Sequence, residues 1–342
     1  MFGVNVTDYD KKVYEEELAD FLPDTIVDAH VHIYKQEMQQ EKAEDRKGCV
    51  NWPHMVAPEL TIDDMNMSFS QMFPGKSVKA VIMGMPTCRL GEVNEYVLAE
   101  SRKAALPALY CTNWDTTKEE LYAAMKAGFV GIKPYQNNVA KYIPAKEVRI
   151  FDMLPHHHME VMDELGGIVM LHIPRSLRLK DPVNLAQMLE INDRYPNAKV
   201  IIAHIGRAYV PADFGDAFEV LKNTKNMLFD FTANTLDLAI RKCIETVGPK
   251  RIMFGSDMPI TKMRMYRVCE PDKYVNVVPR GFYGDVSGDP NMREVDDYSE
   301  MTTFMYEELR AFKRAAEELS LSKDDVYDIM CGNAAKLFDI KF

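Results

Sequence analysis

Eight short apolar runs, separated by stretches of helical period, constrain this chain more than any other feature of it. They are TIVDAHVHI (25–33), VKAVIMGM (78–85), LPALYCTN (106–113), FVGIKPY (129–135), GIVMLHI (167–173), KVIIAHI (199–205), NMLFDFT (226–232) and RIMFGSD (251–257). Runs this short and this apolar read as strands buried on both faces, as in a parallel sheet covered by helices. Between them, segments 92–105, 118–128, 181–195, 213–224 and 236–248 carry apolar residues at helical spacing. Gly128 marks a helix end, and Asp181 followed by Pro182 marks a helix start.

This alternation predicts a (β/α)8 TIM barrel, taken as one domain over residues 1–342. An open doubly wound sheet would alternate in the same way. Eight strands is many for one open sheet, however, and no G-x-G-x-x-G follows the first run. With 342 residues, the chain exceeds a plain barrel of about 250. The excess sits at 34–60, 136–150 and 258–300, all of them loops that follow strands. Barrels carry their active sites on that face, and 34–60 and 258–300 are expected to cover it. The tail 301–342 reads as helix.

Charge and cysteine usage narrow the function classes. Lys and Arg total 41 against 52 for Asp and Glu, a net charge of −11. Nucleic acid and anionic membrane both need a basic footprint, so neither is the expected partner. The six cysteines lie far apart with no C-x-x-C pair, as expected of reduced thiols. The N-terminal segment is too charged for a signal peptide, and no run approaches 18 apolar residues. A cytoplasmic protein is the expectation, and a homo-oligomer stays open.

Four of the eight histidines end predicted strands. His30 and His32, two apart in VDAHVHI, point to one side of a strand. His172 ends GIVMLHI, His204 ends KVIIAHI, and Asp257 ends RIMFGSD. In a barrel these five groups converge at one mouth. Imidazole nitrogen and carboxylate oxygen are good ligands for Zn²⁺, and a catalytic site needs three or four of them with a position left open. An H-x-H alone is weak; the shared placement at strand ends is what points to a metal centre.

The runs VDAHVHI, GIKPY, MLHIPR, IIAHIGR and FGSDMP, closing with GNAAKLF, resemble the amidohydrolase superfamily over about residues 24–340. More narrowly, the chain resembles the amidohydrolase 2 branch, which includes aminocarboxymuconate semialdehyde decarboxylase, aromatic-acid decarboxylases and small-molecule hydrolases. The resemblance implies a barrel holding one divalent metal, usually zinc, with Mn²⁺ and Fe²⁺ also suited to such ligands. It implies His30, His32, His172 and Asp257 as ligands, with His204 beside the metal-bound water. Asp257 and His204 are then the catalytic pair. Loops 34–60 and 258–300 match no motif and are expected to select the substrate.

Lys133 in GIKPY has two readings. In binuclear members of the superfamily a lysine in about this place is carbamylated and bridges two metals. The plainer reading pairs it with an acid or with a substrate carboxylate. Arg175 in HIPR and Arg207 in HIGR each follow a histidine by three residues, so either could hold a carboxylate, or pair with rim Asp or Glu. Tyr135 and Asn113 are candidate lining residues. His54 could reach the pocket from the first long loop. The run His156, His157, His158 reads as solvated surface, and Ser256 has no G-x-S-x-G context for a nucleophile.

These parts support hydrolysis of an amide, ester or lactone in a small anionic substrate, with Asp257 as proton acceptor. Non-oxidative decarboxylation of an aromatic or muconate-type acid is the alternative. A metal-binding barrel without catalysis comes third, because such a protein would be expected to lose ligands.

Overall fold

The computed structural model describes residues 3–40, 53–271 and 273–342, and at 53 and 54 the backbone alone. Eight parallel strands pair in chain order: β1 (Thr25–Ile33), β2 (Ser77–Gly84), β3 (Ala108–Cys111), β4 (Gly131–Lys133), β5 (Ile168–Leu171), β6 (Lys199–Ile202), β7 (Met227–Asp230) and β8 (Ile252–Met253). Backbone bonds then join the last strand to the first. Ala29 N–H donates to the Phe254 carbonyl at 3.0 Å, Asp257 N–H to His30 at 2.8 Å, and His32 N–H to Met258 at 2.9 Å. The fold is a (β/α)8 barrel.

Helices cover the strands where the sequence places them. Lys118–Ala127 ends on Gly128 at φ 126°, a conformation closed to most side chains. Pro182–Arg194 starts from Asp181, whose carboxylate accepts the Val183 and Asn184 amides. The expected helix at 213–224 is shorter. A 3-10 turn (Pro211–Asp213) and the helix Ala217–Leu221 are separated by Gly215 at φ 44°. From β3 onward the strands are shorter than their apolar runs, and β8 keeps two ladder residues. His172, His204 and Asp257 therefore stand just beyond strand ends rather than within strands.

A bulge in β1 decides which way its histidines face. Val27 pairs with Lys79 and His32 with Met83, so five residues of β1 match four of β2. The extra residue lies between Asp28 and Val31 and puts His32 on the same face as Val27. Val27, Val81, Met83, Leu109, Met170 and Met253 form one apolar cluster with Cys331, Ala334 and Phe338 from the tail. A larger cluster packs the strands' other faces against the helices.

Two expectations are corrected here. The segment 258–300 is not a plain loop. It contains β9 (Tyr266–Cys269), β10 (Tyr274–Pro279) and β11 (Met292–Val295), with β9 antiparallel and β11 parallel to β10. The histidine run is not uniformly solvated either. His158 is buried with its Nε2 2.8 Å from the Thr116 carbonyl, and burial lowers its pKa to about 4. His157 also reaches that carbonyl, at 2.9 Å, while His156 meets the Tyr195 hydroxyl at 2.8 Å. Cys88, Cys111, Cys243, Cys269 and Cys331 are free thiols, whereas Cys49 lies outside the described residues, as does the side chain of His54. No helix among the described residues is long and apolar enough to cross a membrane.

Candidate metal centre and its cavity

His30, His32 and Asp257 come together at the barrel mouth, each offering a ligand atom within 4.8 Å of the others. His32 Nε2 lies 3.2 Å and His30 Nε2 3.7 Å from Asp257 Oδ1. Zinc arms of 2.0–2.1 Å in a tetrahedron span edges of about 3.3–3.4 Å, so these spacings fit a metal ion with little adjustment. The far side of each ring is held. His30 Nδ1 donates to Asp230 Oδ2 at 3.0 Å, and His32 Nδ1 to the Gly84 carbonyl at 2.8 Å. Such partners turn each Nε2 toward Asp257, where a metal ion would take its lone pair. Burial, with Lys133 nearby, keeps His30 well below the usual imidazole range and hence neutral, as ligation requires. Burial would raise Asp257, but the His32 hydrogen bond and the neighbouring His204 and His30 outweigh it, and the carboxyl falls to about 2.

His172 stands apart from that trio. Its ring centroid is 5.2 Å from those of His204 and Tyr135, and its buried Nδ1 has no partner among the described residues. His172 lines the cavity at this mouth outside the group of three, with that buried donor atom left unsatisfied. His204 is anchored twice: its N–H donates to Asp230 Oδ1 at 2.6 Å, and its Nδ1 to the Thr232 carbonyl at 3.0 Å. The Nε2 of His204 is thereby left as an acceptor.

Asp230, at the end of β7, thus serves both His30 and His204. It was missed in the sequence, although an acid closing the apolar run NMLFDFT was a readable signal. Asp28 was missed too. It accepts the His30 and Ser256 amides and, buried, is pushed up to about 7.

Lys133 is buried with Nζ 3.0 Å from His30 Nε2 and forms no ion pair among the described residues. Desolvation brings it down to about 8, against the pull of Asp257 and Asp230. Tyr135 faces the same cavity, and burial followed by the Asp257 charge pushes its hydroxyl up to about 12. The cavity holds about 390 Å³ and is lined by all four histidines, Asp257, Lys133, Tyr135 and Arg207. From segment 258–300 it receives Ile260, Arg267, Tyr274 and Asn276.

Two expected lining residues are elsewhere. Arg175 does not line the cavity: its Nε donates to Asp181 Oδ1 at 2.9 Å, and Glu147 lies 3.8 Å from its Nη1. The carboxylate that caps the next helix has captured it. Asn113 borders a separate cleft with Trp114 and Thr116.

The amidohydrolase family model, Amidohydro_2, matches residues 27–274, well over half of the chain. The chain belongs to the amidohydrolase 2 family. This amidohydrolase is accordingly an enzyme of the type that includes both hydrolases and lyases. No curated protein matches the sequence. Solved structures do. A probable 2-pyrone-4,6-dicarboxylic acid hydrolase from Acinetobacter baumannii, with citric acid bound, has a TM-score of 0.56 at 18% identity, covering 92% of this chain and 99% of that one. An amidohydrolase from Burkholderia multivorans with bound zinc scores 0.57 at 12% identity over 93% and 100%. A dihydroxybenzoic acid decarboxylase from Polaromonas sp. JS666, with manganese and 2-nitroresorcinol, scores 0.55 at 14% over 93% and 98%. At these identities the likeness speaks for the fold.

Proposed function

We propose that this amidohydrolase adds water across an amide, ester or lactone bond of a small, carboxylate-bearing substrate. One observation carries the reading: a single cavity joins the His30–His32–Asp257 group to Arg207, whose only described hydrogen bond is from Nη1 to the Arg175 carbonyl at 3.1 Å. His30, His32 and Asp257 would hold one divalent ion, zinc in the first instance, with His172 as the fourth donor. Such an ion supplies acidity to water near neutral pH and polarises a carbonyl oxygen.

The chain's own groups do the rest. Asp257, held ionised, accepts a proton and returns it to the leaving group. His204, neutral and with Nε2 as acceptor, orients the attacking water. Tyr135 keeps its proton and donates to negative charge as it develops. Arg207 fixes the substrate carboxylate.

Non-oxidative decarboxylation of an aromatic or muconate-type acid is the second reading, favoured by the fold likeness to a solved decarboxylase. That reaction must deliver a proton to carbon, for which the ionised Asp257 would first have to take one up. A panel of lactones, N-acyl compounds and aromatic acids, followed for acid and CO2 together in ¹⁸O-water, separates the two. Hydrolysis gives acid carrying ¹⁸O; CO2 release without water incorporation assigns the lyase instead. Asp257→Asn should lower kcat by about 10²–10⁴-fold in the assay that responds.

A further inference from the structure

Three buried or half-buried arginines have no acid partner among the described residues: Arg207, Arg251 and Arg267. Arg251 needs none. Its guanidinium donates to the carbonyls of Val247, Thr224 and Lys222 and to the Thr224 hydroxyl, which engages four of its five N–H groups. The other two line the catalytic cavity.

Arg267 comes from β9, inside the segment that matches no motif. Its guanidinium carbon lies 4.6 Å from the ring centres of Tyr209 and Tyr274 and 4.8 Å from that of Phe304. Nε donates to Asn276 Oδ1 and Nη1 to the Ala233 carbonyl, both at 2.9 Å. Both acceptors are neutral, and three of its five N–H groups meet no partner among the described residues. Its neighbours in space are treated differently. Arg178, over the same two tyrosine rings, pairs with Asp213, and Arg264, three residues earlier in the chain, pairs with Asp10 at 2.6 Å. A caged guanidinium with open donors and no counter-ion is a built anion site.

The cage is also fixed from behind. The Ala233 amide donates to Glu308 Oε2 at 2.9 Å, which pins the left-handed Ala233 (φ 51°) whose carbonyl orients Arg267. Arg207 and Arg267 line the same cavity, together with Tyr209.

We infer that Arg267 is a second anion anchor and that the substrate carries two carboxylates, one for Arg207 and one for Arg267. The inference rests on the proposed reading in taking Arg207 as the first anchor, but it concerns binding and not bond cleavage. Isothermal titration of benzoate and of benzene-1,3-dicarboxylate tests it, on metal-loaded and on chelator-stripped protein. The dicarboxylate should bind the native protein at least about tenfold more tightly than benzoate, and Arg267→Gln should bring that ratio close to one. Arg267→Lys should keep part of the preference. As a measurement independent of any variant's folding, dicarboxylate affinity should fall more steeply with NaCl than benzoate affinity. A native ratio near one, an unchanged ratio in Arg267→Gln, or equal salt slopes would overturn the assignment. The metal-dependent reaction fails on separate readings, ion content and product release, so the two failures are distinguishable.

Discussion

After β5 the chain reads His172-Ile173-Pro174-Arg175, and after β6 it reads His204-Ile205-Gly206-Arg207. The spacing is the same, yet the two arginines end in different chemistry. In the β6 loop all four residues have φ between 48° and 63°, a complete left-handed turn. This turn sets the His204 amide on Asp230 and leaves Arg207 facing the cavity. The β5 loop cannot copy it, because Pro174 locks φ near −65°. There the chain passes on to Asp181, which takes Arg175 and caps the helix Pro182–Arg194. One substitution between two otherwise matching loops thus separates an anchor in the cavity from a brace beside it. The loops are nonetheless joined, since the Arg175 carbonyl accepts from Arg207.

The largest effect should come from the left-handed turn itself. A Cβ on Gly206 would lie 2.5 Å from Leu179 Cδ1, at a φ of 60°. Strain and overpacking together should make Gly206→Ala less stable by about 2–4 kcal/mol, read as a shift in urea midpoint. Pro174→Ala, with no such constraint, should lose less than about 1 kcal/mol. Equal losses would remove the distinction between the loops.

Next comes the anchor. Arg207→Met should raise KM by about 10–100-fold with kcat little changed, because the carboxylate is held alike in ground and transition states. Arg175→Met should move KM by less than about twofold, since its guanidinium is spent on Asp181. A large KM effect from Arg175→Met would return that residue to the substrate site.

The smallest effect is the brace. Arg175→Met leaves the buried Asp181 without its ion pair and should cost about 1 kcal/mol of stability. Arg207→Met, with no ion pair to lose, should stay within about 0.5 kcal/mol in the same denaturation series.

Much of the barrel was legible because burial on both faces writes continuous apolar runs, and β1 matches its run residue for residue. Strand ends were less legible. β8 stops after Met253 because the backbone beyond it turns to join β1. The HHH run misled because helical geometry forbids a shared face, yet two of the rings converge on one carbonyl at the helix start. The sheet in 258–300 left no repeating pattern to read, and with it Arg267 stayed hidden. Among many arginines, its lack of an acid partner is a property of the surroundings and not of its letter.

What the sequence by itself determined is the alternation of buried strands and helices, and with it the convergence of His30, His32, His172, His204 and Asp257 at one mouth. Those follow from local periodicity and from the chirality of barrels, which need no knowledge of distant contacts. Only the tertiary structure decided which charges are spent and which are free. Arg175 meets Asp181, Arg264 meets Asp10, and Arg178 meets Asp213, while Arg207 and Arg267 meet no acid among the described residues. Pairing depends on where side chains far apart in sequence come to rest, and a charge left unpaired in a desolvated cavity acquires its meaning only from that arrangement.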